Sequence, residues 1–386
     1  MKRLILLFGC LTLMTGLFEV RAQEIPISQQ MTATAMEIWK ERPRKWSYDQ
    51  GVLFEGIERL WKRTGDKQYF EFIQSSMDKF ISENGEIDTY EEDHFNIDNV
   101  KNGRTLLFLY KETGKQKYLT AATHLWEQLK KQPRTKEGGF WHKKIYPNQM
   151  WLDGLYMAEP FYTEYAVLVK EEAAFYDIAN QFIYMEKNSV DKKTGLLYHG
   201  YDEARVERWA DPQTGRSPHF WGRAMGWYAV ALVDVLDNFP KNHHQRPTLI
   251  KLLNKVSKAI QSVQDQQSGV WYDILDQPAA KGNYLESSAS SMFVCALAKG
   301  VRMGYLPKSY AKVAKKGYEG ILKEFVEQRA PGKINLKGTV TVSGLGGKPY
   351  RDGSFAYYIS EKVITNDQKG VGAFIQAANE MEIAIK

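Results

Sequence analysis

Cysteine is nearly absent, with two in 386 residues, and proline is sparse at 13. Two thiols cannot staple a scaffold, so the stability of this chain has to come from packing. Charge of one sign is also missing. Lys and Arg number 52 against 46 Asp and Glu, a net +6 that is spread along the chain in Lys-Lys pairs at 130, 143, 192 and 315. That distribution lacks the dense basic patch nucleic acid demands and reads as solubility plus an anionic ligand. After residue 18 no stretch approaches the ~20 apolar residues of a membrane span. There is no Gly-x-Ser-x-Gly elbow, no Gly-x-Gly-x-x-Gly loop and no Walker loop, and Gly344-Leu345-Gly346-Gly347 is too loose a cluster to hold phosphate. No His-x-x-x-His or Cys pair offers a metal site.

What is present is apolar and aromatic: 43% hydrophobic residues, with 10 Trp, 22 Tyr and 18 Phe. This is a globular composition, and its length suggests two or three domains at ~150 residues each. The first residues read as an export signal. Lys2 and Arg3 precede an apolar run over 4–18, and Val20-Arg21-Ala22 fits a small-x-small cleavage pattern, so a signal peptide over 1–22 would leave a mature chain over 23–386. Leu7-Phe8-Gly9-Cys10 can also be read as a lipoprotein box, but it leaves the run over 11–18 unused. Either way the protein is expected outside the cytoplasm, periplasmic or secreted. Removal of the leader takes Cys10 with it and leaves Cys295 as the single thiol.

Internal repeats revise the domain count. Thr64-Gly65-Asp66-Lys67-Gln68-Tyr69-Phe70 returns as Thr113-Gly114-Lys115-Gln116-Lys117-Tyr118-Leu119, 49 residues on. Each phrase is a tight polar turn between stretches of helical apolar spacing, such as Leu53, Ile57, Leu60 before the first and Phe72, Ile73, Met77 after it. A second phrase, Gly before a short aromatic run, recurs at 138–142, 195–202 and 269–273 in the opposite phase. The unit is a helical hairpin, and hairpins that alternate up and down bring every long loop to the same end. The spacing leaves room for about six hairpins, which close into an all-α (α/α)6 toroid as one domain. An open solenoid fits the same period.

Candidate chemistry collects in the long-loop phase. Asp153, in Trp151-Leu152-Asp153-Gly154, stands at the start of a helix. It is either a cap or a carboxyl desolvated by its apolar flanks, as a general acid near neutrality requires. Asp98 holds the equivalent place one hairpin earlier, with the same two readings. His142 and His199 each end an aromatic run. Trp221 and Trp227 offer flat faces suited to sugar rings, and Arg223 between them offers a fork matching a carboxylate. Packing and close helix approach at Gly222 and Gly226 compete with that reading. Glu286 is a further helix-start acid and an equal candidate for a cap.

At these residues the chain resembles glycoside hydrolase family 105, the unsaturated rhamnogalacturonyl hydrolases. The phrases that carry the resemblance run the length of the mature chain: the Asp98 segment, FWHKKIYPNQMWLDGLYMAEPF from Phe140, YHGYDE from Tyr198, SPHFWGRAMGWY from Ser217 and YLESSAS from Tyr284. It implies the (α/α)6 toroid and an unusual hydrolysis. An oligosaccharide left by a pectin lyase carries a 4,5-unsaturated uronic acid at its non-reducing end, and hydration of that vinyl ether releases it. Carried over, Asp153 is the general acid and then base, and Asp98 the second acid that orients sugar hydroxyls or water. His142, Trp151, His199, Trp221, Arg223 and Trp227 fall on substrate-binding positions. The resemblance implies no metal or organic cofactor. The sister family of unsaturated glucuronyl hydrolases, acting on glycosaminoglycan or other uronate disaccharides, shares the toroid and a similar pair of aspartates. A non-catalytic extracytoplasmic sugar-binding protein would keep the aromatic mouth without the acid.

Overall fold

The computed structural model describes residues 25–40 and 45–384, so the leader over 1–22 and Cys10 lie outside the described residues. The repeated Thr-Gly phrase is a helix terminator. Thr64 and Thr113 each return their hydroxyl to the carbonyl four residues back, and Gly65 and Gly114 follow with φ of 71° and 68°. Their N–H groups cap Trp61 and Tyr110. Glycine takes this left-handed position without a steric penalty, which suits the phrase to these first two tight turns, while the turn after residue 169 uses Lys170 at φ 57°.

Thirteen α-helices follow among the described residues: α1 Ile27–Trp39, α2 Tyr48–Thr64, α3 Lys67–Met77, α4 Gly103–Thr113, α5 Gln116–Lys131, α6 Leu152–Val169, α7 Ala174–Ser189, α8 Gly222–Asn238, α9 Arg246–Ser262, α10 Ser287–Arg302, α11 Tyr310–Glu324, α12 Phe355–Ser360 and α13 Gln368–Ala384. An inner ring of α2, α4, α6, α8, α10 and α13 packs neighbour on neighbour, with α13 lying against both α10 and α2. The ring is closed. Its helices are buried nearly all round, as α8 is without a break from Gly222 to Leu236. Outer helices keep one wet face, as α9 does with its buried stripe of Leu249, Leu252, Leu253, Val256 and Ile260. The sixth pair joins the ends of the chain: α1 packs on α13, and Ser28 Oγ donates to Glu382 at 2.6 Å while Arg63 of α2 donates to Asn379 and Glu382.

The inner ring is cross-braced by buried charge. Glu55 of α2 accepts from Lys101, from Arg59 at 2.5 Å, from Arg104 and from the Tyr156 hydroxyl at 3.0 Å. Asp234 of α8 takes Arg59 at 2.7 Å and Lys299 of α10 at 2.6 Å. Burial works against the Glu55 carboxylate, but Arg104, Lys101 and Arg59 together hold it well below the usual range.

Tight turns join inner to outer helices, and the long connections over 78–102, 132–151, 190–221, 263–286 and 325–367 all return from outer to inner. They emerge at one end, where a short antiparallel strand pair ties the second of them to the third and two more pairs fold the last one on itself. β1 Gln149–Trp151 pairs with β2 Gly200–Asp202, β3 Val326–Ala330 with β4 Lys333–Leu336, and β5 Thr339–Val340 with β6 Val363–Ile364. No described helix is long and apolar enough to cross a membrane.

Candidate active site

The mouth at the long-loop end is built from the starts of the inner helices. Trp151 closes β1 in extended geometry and is the residue from which α6 departs, so Asp153 is second in the helix and its side chain does not cap it. The Leu152 N–H donates to the His199 carbonyl at 3.1 Å, which locks the approach to β2 against the first turn of α6. The same lock brings the side chains together. Asp153 Oδ2 lies 3.2 Å from His199 Nε2, and both atoms are buried without a well-aligned hydrogen bond, to each other or elsewhere. The Asp153 side chain nonetheless keeps 13% of its surface exposed, so its other carboxylate atoms face the mouth. His199 Nδ1 meets the Tyr358 hydroxyl at 2.8 Å.

The second acid is differently placed. Asp98 lies in a 3-10 turn over Ile97–Asn102, where Asn96 and not Asp98 supplies the cap. Its Oδ2 pairs with Lys143 at 2.7 Å and its Oδ1 lies 3.4 Å from His142 Nε2. Burial opposes the charge, but Lys143 outweighs it and holds this carboxyl below its usual value, so Asp98 stays ionised. Burial pushes the His142 ring down to about 4, so it is neutral. His142 stacks on Trp151 at 4.4 Å, and its Nδ1 would stand 3.3 Å from a Cβ at position 154, a closeness that Gly154 permits. Trp151 also stacks on Tyr146 at 5.0 Å and is the shared wall between the Asp98–His142 and Asp153–His199 pairs.

Trp221 opens α8 and lies 4.8 Å from the His199 ring, with its indole N–H on Asp273 Oδ1 at 2.9 Å. Burial, with the nearby Glu286, raises the Asp273 carboxyl to about 8. Arg223 is 1% exposed and already engaged: Nε donates to Ser288 Oγ at 2.8 Å, Nη2 to the Val340 carbonyl and, more loosely, to Glu286 at 3.5 Å. Glu286 caps α10 through the Ala289 N–H at 2.6 Å and accepts from Val340 N–H, so of its two readings the cap is the one observed.

Most of the expected residues thus converge, Asp98, His142, Trp151, Asp153, His199 and Trp221 forming one contiguous group with Arg223 behind it. Trp227 stands apart. It is 2% exposed and stacks on Tyr156 at 4.5 Å in the middle of the ring. It lies four residues beyond Arg223 on α8, ~6 Å further along the helix. Lys143, Tyr358, Asp273 and Tyr48 were not singled out in the sequence. Lys143 had a signal, its place beside His142. Tyr48, the first residue of α2, feels the charges of Asp98, Asp153 and Arg223 at once, and burial drives its phenol well up. A groove of about 1040 Å³ between α7 and α9, rimmed by Lys192, Lys193, Lys255 and Lys258 and by as many acids, includes none of these residues.

The family model described as Glycosyl Hydrolase Family 88 matches residues 21–385. A solved glycoside hydrolase of family 105 from C. acetobutylicum ATCC 824 is 50% identical, with a TM-score of 0.91 over 93% of this chain and 99% of that one. Among curated proteins, Protein Atu3128 of Agrobacterium fabrum is 37% identical over 232 residues, covering 58% of this chain and 97% of its own. The unsaturated rhamnogalacturonyl hydrolase YesR of Bacillus subtilis is 29% identical over 314 residues, 79% of this chain and 84% of its own. By a family match over nearly its whole length and by that half-identical relative, the chain belongs to glycoside hydrolase family 105, among the proteins the family 88 model describes, and is a glycoside hydrolase.

Proposed function

We propose that the protein releases the 4,5-unsaturated uronic acid from the non-reducing end of pectin-derived, rhamnogalacturonan oligosaccharides by hydrating its C4–C5 double bond, with Asp153 as general acid and base. The observation that carries this reading is the contrast between the two carboxyls at the mouth. Asp98 is held as an anion by Lys143 at 2.7 Å, whereas Asp153 has no Lys or Arg partner among the described ion pairs and meets His199. Two like groups in unlike surroundings divide the work, one paired to a lysine and the other left to act on the substrate. The relative YesR, by its name, acts on unsaturated rhamnogalacturonyl substrates.

In this reading a proton passes from the Asp153 carboxyl to C4. Positive charge develops at C5, shared with the ring oxygen, beside the carboxylate just formed. That carboxylate then takes a proton from water as the water oxygen bonds to C5. The hemiketal opens by breaking the C5–ring oxygen bond, and the hemiacetal left at C1 expels the second sugar. One carboxyl in two states suffices, so the paired, spaced carboxylates of ordinary glycosidases are not needed. Asp98, His142 and Tyr48 are placed to hold hydroxyls of the sugar or the water. Arg223, whose donors are largely engaged by Ser288 and Val340, contributes to the uronate carboxylate chiefly through its charge.

The test is to incubate the protein with unsaturated rhamnogalacturonan and chondroitin disaccharides in parallel and follow the ultraviolet absorbance of the double bond. Decay with the first and at least about tenfold slower decay with the second is expected. The reverse preference would move the substrate to the glycosaminoglycan class, and decay with neither would remove the proposed reaction.

A further inference from the structure

Tyr358 comes from the last long connection, which carries no repeat phrase, yet it is completely buried against the centre of the site. It lies on α12, and its neighbours in the same connection, Val340 and Thr341, present carbonyls to Arg223. Its hydroxyl is 2.8 Å from His199 Nδ1, and His199 Nε2 is 3.2 Å from Asp153 Oδ2. Tyrosine, histidine and aspartate therefore form one line from the protein interior to the mouth. His199 is fully buried, boxed by Trp221 at 4.8 Å, by the edge of Trp151 at 5.5 Å and by Tyr358. The ionisable groups around it are Asp153 from α6, His142 from the connection before β1 and Tyr358 itself.

Two neutral tautomers of His199 are conceivable, and they have opposite consequences. If Nδ1 carries the hydrogen and donates to Tyr358, the lone pair of Nε2 faces a carboxylate oxygen. That is repulsive once Asp153 has given up its proton, and before then it draws that proton onto Oδ2, away from the substrate. If Tyr358 donates to Nδ1, the hydrogen sits on Nε2, the nitrogen 3.2 Å from Asp153 Oδ2. Oδ2 then has a donor beside it, and no competing lone pair, in both states of the carboxyl, which favours the transferable proton on Oδ1. Burial keeps the Tyr358 phenol protonated far above neutrality, so it remains a donor.

We propose that Tyr358 is a positioning residue whose hydroxyl fixes His199 as the Nε2–H tautomer and thereby directs the catalytic proton of Asp153 to the oxygen that faces the mouth. This rests on Asp153 being the acid, as proposed above. The outer hydrogen bond would act as partners of functional histidines do elsewhere, by setting which nitrogen is occupied.

The test combines kinetics with histidine-labelled nitrogen-15 NMR of the full protein. In the wild type the His199 signals should show hydrogen on Nε2 across the pH range of activity. In Tyr358→Phe, which keeps the ring and removes the hydroxyl, the Nδ1–H form should appear. At the same time kcat should fall roughly ten- to a hundredfold with KM within about threefold. A wild-type His199 in the Nδ1–H form overturns the proposal without any variant, as does a Tyr358→Phe protein with unchanged tautomer and kcat. A Tyr358→Phe protein that melts earlier but keeps tautomer and kcat makes the residue a packing group only, which also overturns it. Because the NMR needs no substrate, inactivity of the wild type on unsaturated disaccharides would count against the assigned reaction and leave the tautomer result standing separately.

Discussion

Asp153→Asn is expected to lower kcat on an unsaturated rhamnogalacturonan disaccharide by about 10³-fold or more, with melting temperature and binding of the disaccharide little changed. General acid–base catalysis alone contributes ~10²–10⁴, and here one carboxyl serves both halves of the reaction. Asparagine is nearly the same shape, and its carbonyl can still accept from His199 Nε2, so the wall of Trp151 and the first turn of α6 should be undisturbed. What the amide cannot do is deliver a proton to C4 or take one from water. The measurement is the rate of loss of double-bond absorbance, with calorimetric binding as the control. Retained turnover would move the acid elsewhere. Asp98 is not the obvious substitute, since Lys143 holds it ionised.

The second large effect concerns the brace inside the ring. Glu55→Ala is expected to destabilise the fold by about 3–5 kcal/mol, the usual cost of leaving a buried charge uncompensated. The cations at Glu55 do not suffer equally. Arg59 keeps Asp234 at 2.7 Å, and Arg104 keeps Glu164 at 2.7 Å and Asp234 at 3.0 Å. Lys101 is 1% exposed, and among its described contacts Glu55 is the one paired carboxylate; without it the ammonium keeps the face of Tyr156 at 3.8 Å and the more distant charge of Asp234. Burial already depresses its pKa, and loss of the carboxylate would depress it further. The double variant Glu55→Ala with Lys101→Met should therefore recover a large part of the loss, because the stranded charge goes with it. Denaturant melts of the wild type, single and double variants check this. Equal stability of the single and double variants would show that Lys101 is not where the cost falls.

Much of this architecture could be read in advance because its punctuation is chemical. Thr64-Gly65 and Thr113-Gly114 end helices by a back-bonded hydroxyl and a left-handed glycine, so the hairpin period and its tight end were visible in two short phrases. Once that phase was known, Asp98, Asp153, His142 and His199 had to share the opposite end. What escaped lacks local signals. The pairing of α1 with α13 depends on Ser28, Arg63 and Glu382, residues far apart in the chain whose types are ordinary for helix surfaces. Tyr358 is one tyrosine among 22, and nothing near it repeats. The stacking of Trp227 on Tyr156 likewise joins residues of two different inner helices. Arg223 looks free in the sequence. Its engagement by Val340 and Ser288 arises only when the last long connection folds across the mouth.

The central claim is that this active site attacks a double bond and only indirectly a glycosidic bond. It is tested most directly by running the wild-type reaction on the unsaturated disaccharide in deuterated water. Loss of double-bond absorbance, appearance of the second sugar and deuterium at C4 of the uronate are followed together from the first turnover. Absorbance loss at or ahead of sugar release, with one deuteron at C4 of every released uronate from the earliest time point, is the expected result. Sugar release that precedes absorbance loss, with early uronate free of deuterium at C4, would contradict the account and make this an ordinary glycosidase.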